Sequence, residues 1–500
     1  MEREKPSKLF NKRNAAFIAL FLIFGIFCIR FPYFVSGILL FSAAVFLFIL
    51  VKTKSLGKGA AIALAAVLLF GYFSAFASLT FYNSYGPSGE AEIQARVISV
   101  SEIESDSGEI SYGYLADHIR ANGKRYGGKI SFYSEKKASV GDRVRASGKV
   151  EHNDLSFESA YSAMQYRTGA KFSFTSSSLS FSSGKAPFSY SVREKLRSIL
   201  LDAEGDRAGS FAYAMLFGDS SEMLYSDKQA MRSVGVAHVF AVSGLHVGVL
   251  SSVILFLLKK LKCKGWVNFA VLLPILGFYA YLSSFTPSVL RASIMTLVLL
   301  AANALGARYD AVSSLSLAAI LILLFRPLYL FDVSFILSFL SVFGIVSLTD
   351  PLEKIFLRHG MKKGLASPLA LSIATSVSIV PVSAVFFGRI SFAGIALNLV
   401  VVPLASLSYV LTLVALLLTL VYSGFGTLLA AFRFIPLFIA ELSIKVSELG
   451  LAQSYAFSVA EVAVYYGALA LVGKQSLLPR RAKLIIAGIV TGVMMILIFV

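Results

Sequence analysis

The sequence predicts a polytopic α-helical membrane protein of about 11–13 spans with a small β-barrel domain inserted near its N-terminus. Three observations carry that expectation. Of 500 residues, 57% are hydrophobic and only 15% charged, and the mean hydropathy is +0.75; this composition excludes a soluble globular chain. Apolar runs of roughly 15 to 28 residues recur, separated by short segments rich in Lys and Arg. One stretch, 90–184, breaks the pattern, being polar, rich in Ser and Gly, and alternating with period two.

The formal charge of +18 would suggest a nucleic-acid surface if it sat on one face. From Glu90 to Lys185 there are twelve acidic and thirteen basic residues, so the excess lies in the membrane-flanking segments. There the preference of cytoplasmic loops for Lys and Arg explains it. Cys28 and Cys263 are too few for a disulfide framework, and none is expected. Five scattered histidines, with no Cys-x-x-Cys and no His-x-His-x-Asp-His, predict neither a metal site nor a metallohydrolase domain, and no cofactor is called for.

Residues 1–84 read as an N-terminal three-helix membrane segment. Arg3, Lys5, Lys8, Lys12 and Arg13 precede an apolar run over 15–29. No small-x-small cleavage site follows before the next run at 33–51, so an uncleaved first helix is expected. Lys52, Lys54 and Lys58 lead into a third run over 60–80. With both basic ends cytoplasmic, the N-terminus is expected inside and the third helix exits outward. Residues 85–187 then form the β domain outside the cytoplasm, with strands expected at 91–100, 110–119, 129–133 and 143–150 and Gly-rich turns between them. Tyr112, Tyr114, Tyr126, Phe132 and Tyr133 sit at alternating strand positions, which suits either core packing or a stacking surface.

Residues 188–235 turn helical. Val192, Leu196, Ile199 and Leu200 recur against Arg193, Glu194, Lys195 and Arg197, the pattern of an amphipathic helix on the membrane surface. Residues 211–217 lead into Gly218-Asp219, read as a turn or helix cap. Residues 236–500 form the membrane domain. Its loops Lys259–Lys260–Lys262–Lys264, Lys354–Arg358–Lys362–Lys363 and Lys474–Arg480–Arg481–Lys483 all fall inside under one alternating topology. The runs between them are 266–282, 288–305, 311–325, 331–348, 365–387, 394–421, 425–440, 457–472 and 484 to the end.

The most informative stretch is 238–248, His-Val-Phe-Ala-Val-Ser-Gly-Leu-His-Val-Gly. His238, Ser243, Gly244, His246 and Gly248 open a long apolar run, where buried polar groups must find partners or water. On an unbroken helix the two histidines would lie about 80° apart, and the glycines make a break or a close helix contact plausible. This stretch resembles the signature of the ComEC family, the inner-membrane channel of bacterial DNA uptake. Further segments are similar to that family's motifs. Gly218-Asp219 resembles its Gly-Asp turn, and Pro287 and Arg291 its Ser-x-Pro-hydrophobic-x-Arg-Ala. Asp332, Phe335 and Ser338 follow its Arg-Pro…Asp-x-x-Phe-x-Leu-Ser-Phe, and Pro381, Asn398 and Pro403 its Pro…Asn-hydrophobic…Pro.

The resemblance implies a bacterial cytoplasmic-membrane channel for single-stranded DNA in natural transformation. It implies an OB-like fold for the β domain, on Val140-Gly-Asp-Arg-Val-Arg-Ala-Ser-Gly, although the family's Asn-Pro-Gly turn is replaced here by 156–164, Ser-Phe-Glu-Ser-Ala-Tyr-Ser-Ala-Met. It also implies a separate DNA receptor, cytoplasmic motor ATPase and nuclease. Relatives often add a C-terminal metallo-β-lactamase-like domain; this chain reaches Val500 inside an apolar run, and the form without that domain is expected. No Walker-type Gly-x-x-x-x-Gly-Lys-Ser/Thr is present in this sequence.

An Arg at mid-helix costs about 2.5–3.5 kcal/mol on insertion scales unless it meets a partner or water. Arg291 is therefore expected to line a wet path for phosphates or to lock against Asp332, while Asp332 is expected to orient Arg291 or another polar group. His238, Ser243, Gly244, His246 and Asn398 complete the pore candidates; Gly218, Asp219, Gly248, Pro287, Phe335, Ser338, Pro381 and Pro403 are expected to be structural. A competing reading is an intramembrane hydrolase using Ser243 and His246, and another is a small-solute transporter, for which the paired broken helices of two repeats are missing.

Overall fold

The computed structural model describes residues 14–30, 33–52, 58–84, 87–104, 110–153, 170–220, 222–240, 243–387, 390–391, 393–450, 452–453 and 459–472. The basic segment before residue 14, residues 156–164, positions 241–242 of the signature, and the run from 484 with the basic loop ahead of it lie outside them. The helices are α1 (Asn14–Phe27), α2 (Tyr33–Lys52), α3 (Lys58–Ser84), α4 (Phe188–Glu204), α5 (Asp206–Phe217), α6 (Tyr225–Ser233), α7 (Gly244–Lys260), α8 (Gly265–Leu282), α9 (Pro287–Ala304), α10 (Ala311–Phe325), α11 (Val333–Arg358), α12 (Lys363–Phe387), α13 (Ala393–Val421), α14 (Gly426–Phe432), α15 (Phe434–Ser447) and α16 (Val459–Val472). Among the described residues seven helices are long and apolar enough to cross a membrane, and three shorter ones are apolar. The chain is a multi-pass membrane protein.

Two compact units divide it, one of residues 1–194 and 312–335, the other of 195–311 and 336–500. In the first, α1 packs on α3. A Cβ at Gly25 would overlap the Leu68 carbonyl and one at Gly71 the Leu22 carbonyl, so the absence of side chains at these two positions permits the close crossing. Strands β1 (Gly89–Glu104), β2 (Ile110–Ala121), β3 (Lys124–Arg125), β4 (Lys129–Ser134), β5 (Arg143–His152) and β6 (Ala170–Ser182) follow. Their order is β1-β5-β6-β4-β2-β3, and β1 also pairs β2, so five strands close into a barrel with β3 as a short extension. That is the expected OB-like architecture. β1 serves two neighbours because register shifts between Gln94 and Arg96 and between Val97 and Ser99 bend it.

The barrel core is Ile93, Val97, Tyr114, Ile119, Ile130, Phe132, Val144, Val150, Phe172 and Phe174 with small residues between. It settles the ambiguity over the aromatic rings. Tyr114 and Phe132 are 2% exposed and stack on each other at 5.1 Å. Tyr112 and Tyr126 pack against the same core, and Tyr133 is 60% exposed. β6 was not expected from the sequence: seven of its thirteen residues are Ser or Thr, whose hydroxyls compete for backbone partners. Phe172 and Phe174 pull it into the core, and its hydroxyls turn outward, Ser177 Oγ to the Ser147 carbonyl at 2.7 Å among them. Tyr82, near the end of α3, donates to the Ala170 carbonyl at 2.8 Å, tying the helix to the start of β6.

In the second unit, α8 packs on α9, α9 on α7, and α13 against α5, α7, α12, α14 and α15. Apolar side chains face outward, Phe256, Leu257 and Trp266 more than half exposed, as lipid contact requires. The amphipathic α4 appears where its periodicity placed it. α5 after it is buried over most of its length.

Candidate functional site

The signature does not continue as one helix. A single 3₁₀ turn spans Ala237–Val239, and α7 begins at Gly244 with Ser243 as its N-cap in extended conformation. Ser243 Oγ accepts from the Leu245 N–H at 3.3 Å. His246 Nδ1 accepts from the Ser243 N–H at 3.0 Å. This capping box satisfies donors that a helix start leaves orphaned, and it leaves Nε2 as the protonated nitrogen of a neutral ring. Ser-x-x-His is thus a helix-starting device, and within it Ser243 Oγ also lies 3.4 Å from His246 Nδ1.

His246 is 1% exposed. Its ring lies 4.7 Å from that of Tyr409 on α13. Tyr409 Oη donates to Tyr279 Oη at 3.4 Å, and Tyr279 Oη to the Leu216 carbonyl at 3.0 Å. Leu216 lies two residues before Gly218, the left-handed C-cap of α5 at φ 72°, a conformation glycine adopts without strain. A ring contact and two hydrogen bonds therefore lead from the signature through α13 and α8 to the last turn of α5. His238, by contrast, is exposed, with its ring held to the Gly235 backbone.

Arg291 follows Pro287, the first residue of α9, by one turn and is 5% exposed. Its Nη1 donates to the Ser338 carbonyl of α11. Its guanidinium rests on Gly244, where any Cβ would overlap it. Among the described residues no carboxylate pairs with Arg291. It answers its charge with a neutral carbonyl. Asp332 Oδ1 accepts from the Ser334 N–H at 2.7 Å, starting α11. The guanidinium faces the positive end of α7 and adds to that field. Ser338 Oγ and Asn398 Oδ1 on α13 are buried atoms without a hydrogen-bond partner among the described residues.

The remaining motif residues divide by what they touch. Phe335 is buried at 3% exposure. Gly248 has open space where a side chain would go. Pro381 and Pro403 lie inside α12 and α13. A proline has no N–H, so it frees the carbonyl four residues earlier. At Pro381 that carbonyl is Val377, and Tyr465 Oη of α16 donates to it at 2.5 Å while Tyr466 Oη donates to the Ser378 carbonyl at 2.8 Å. Asp219 follows the Gly218 cap without continuing the helix.

Some residues escaped the sequence reading. Tyr279, Tyr409 and Tyr465 lie inside apolar runs where no sequence pattern singles them out. Arg207 binds the Asp227 carboxylate with two nitrogens at 3.0 and 2.8 Å and Glu441 with the third at 2.8 Å, joining α5, α6 and α15. The Asp227 hydrogen bonds, then Glu441, hold the Arg207 pKa above its ordinary value despite some burial. Glu204, at the end of α4, is 3% exposed with neither carboxylate oxygen partnered among the described residues, and burial pushes its pKa up to about 8.

Residues 215–478, which hold the signature, Arg291, Ser338 and Asn398, match the Competence protein family. The chain belongs to that family. It is 26% identical over 246 residues to ComE operon protein 3 of Bacillus subtilis (strain 168), a match covering 49% of this chain and 31% of the relative. Another relative, an uncharacterized protein of Aquifex aeolicus (strain VF5), is 27% identical over 167 residues, 32% of this chain and 40% of that one. The chain spans less than half the length of these curated relatives. No solved structure matches it.

Proposed function

We propose that this protein passes single-stranded DNA inward across the bacterial cytoplasmic membrane during natural transformation. The observation that carries the reading is Arg291, a buried guanidinium beside the N-terminus of α7 with no carboxylate partner among the described residues. A cation held in that setting calls for an anion, and a strand offers one per nucleotide. Membership of the competence family and likeness to ComE operon protein 3 point to the same substrate. In this reading the N-terminus is cytoplasmic, residues 85–187 lie outside, and Lys259 to Lys264 lie inside. A DNA receptor, a motor ATPase and a nuclease are separate proteins. His238 and Asn398 line the path, while Ser243, Gly244 and His246 shape the end of α7 that borders it.

The test is uptake of labelled DNA into the nuclease-protected cytosolic pool at matched membrane abundance. Arg291→Gln lowers it at least tenfold while surface-bound DNA is unchanged. Wild-type uptake by Arg291→Gln would remove the main support for a phosphate path at this residue. Orientation is tested separately: in a chain with Cys28 and Cys263 replaced by Ser, an impermeant thiol reagent on intact cells labels Lys137→Cys and spares Lys262→Cys.

A further inference from the structure

Within the first unit, the end of α10 and the start of β4 bring two cations together at the edge of an apolar surface. α10 finishes on Leu324 and Phe325, apolar side chains that are both exposed, as contact with lipid requires. Arg326 comes next, exposed, with its guanidinium 6.0 Å from the ring of Tyr329. Tyr329 is buried in a 3₁₀ helix, Pro327–Phe331, which packs on α1 and α3. An arginine over a tyrosine, directly after an apolar helix, is the arrangement of a membrane interface. On the barrel side stands Lys129, half-buried, at the first position of β4. It lies opposite Ala170, whose carbonyl accepts from Tyr82 of α3, so Lys129 is at the end of the barrel that meets the helices. Burial pushes the Lys129 pKa down; Asp117 opposes this, and the nearby charge of Arg326 adds to it.

We propose that Lys129 and Arg326 clamp the phosphate of an anionic phospholipid headgroup at this boundary. Charge selects an anion. Among the described residues neither cation forms an ion pair, and without a counter-charge the two repel each other. The carboxylate whose charge reaches Lys129 is Asp117, and Arg96 and His118 already hold it, each at 2.8 Å. Lys171, next after Ala170 on β6, is buried with its ammonium 6.0 and 5.8 Å from the rings of Tyr82 and Phe172, so that cation is spent on aromatic faces. Depth selects lipid as the source of the anion. Because exposed Phe325 immediately precedes Arg326, a phosphate that meets the guanidinium sits where acyl chains end and headgroups begin. A guanidinium offers it two parallel N–H donors and an ammonium adds a point charge. The bound lipid would bridge β4 and the end of α10, steadying the barrel on the helices that carry it.

The inference needs only that the end of α10 reaches the membrane boundary, not that the chain carries DNA, so it and the proposed function can fail separately. The full chain is placed in nanodiscs of phosphatidylcholine alone and in discs with about a third phosphatidylglycerol, and amide exchange is followed over 129–131 and 328–331. In the parent, phosphatidylglycerol slows exchange in both segments by at least about threefold. Arg326→Gln, at an exposed position, loses most of that slowing, and Lys129→Gln/Arg326→Gln loses all of it. The charge-keeping pair Lys129→Arg/Arg326→Lys retains at least half. In phosphatidylcholine alone all the chains exchange alike, so the loss is not a failure to fold. The proposal is overturned if the parent shows no slowing or the Gln variants keep it. Faster exchange of Arg326→Gln in phosphatidylcholine alone, with no further difference in phosphatidylglycerol, overturns it in favour of a purely structural role. It is also overturned if millimolar inorganic phosphate slows exchange as much in phosphatidylcholine discs, which makes the pair a free-anion site, or if a single-stranded oligonucleotide does so, which makes it a nucleic-acid contact.

Discussion

The barrel and the helical unit around the signature use polar residues in opposite ways. In the barrel the interior is chiefly apolar and the arginines face water; burial of Ile, Val and Phe drives the fold, and the outer face is left for charge. Around the signature the apolar side chains face outward, while Arg291, His246, Tyr279 and Tyr409 are inside. Lipid gives apolar surfaces no reason to associate, so packing and interior bonds hold this unit together. A buried polar group there is held by a partner inside the unit: His246 by a helix cap, Tyr279 by the Leu216 carbonyl and Arg291 by the Ser338 carbonyl. The lesson is that the same residue type means different things on the two sides of the boundary.

The sharpest way to break the comparison is to fill the space between α7 and Arg291. Gly244→Leu should leave no measurable uptake, because even a Cβ overlaps the guanidinium. Gly248→Leu, one turn on, should keep uptake near the parent level, since nothing stands where its side chain would go. Equal effects of the two, at equal protein levels, would mean that close packing on Arg291 is not what the first glycine serves.

In the barrel the corresponding injury is apolar. Phe172, fully buried, should cost about 3–5 kcal/mol as Phe172→Ala, seen as lost amide-exchange protection across β4, β5 and β6. Protection in α8 and α9 should be unchanged; a loss there of the same size would show that the two regions do not unfold separately.

Glu204 sharpens the contrast at the membrane surface. Its folded pKa of about 8 lies above the ordinary carboxylate value. Below that ordinary value both folded and unfolded chains hold the proton. As pH rises toward about 8 only the folded chain still does, so stability falls across this window and levels off above it. Glu204→Gln should remove the fall, raising stability at pH 8 by an amount on the order of a few kcal/mol and little at pH 4. Melting of purified protein at the two pH values reads this directly, and parallel curves for parent and variant would place the carboxyl in contact with water.

The mildest effect is expected at the cap. Ser243→Ala removes one side-chain acceptor, worth about 1 kcal/mol, and should reduce uptake severalfold at most. Near-complete loss in both Ser243→Ala and His246→Gln, with folding intact, would revive the hydrolase reading.

Much of this architecture was legible in local pattern. Period-two alternation located β1, β2, β4 and β5, and the apolar runs located the helices to within a few residues at most ends, because lipid and the barrel core each impose a strict periodicity. The serine-rich β6 was hidden, since only its position against β4 and β5 makes a strand of it. The signature and Arg291 were also recognisable from residue type alone: charge and imidazole inside an apolar run demand an explanation wherever they occur.

What each of those residues does was decided in three dimensions. His246 serves a helix start because its Nδ1 meets the Ser243 N–H. Whether Arg291 is locked or available depends on a carbonyl 47 residues away. Tyr465 matters because Pro381 leaves a carbonyl bare 88 residues before it. Periodicity is a local property, set by the solvent on each face of an element. Partnership is not, because a hydrogen bond or an ion pair depends on distance in space, to which separation along the chain is no guide.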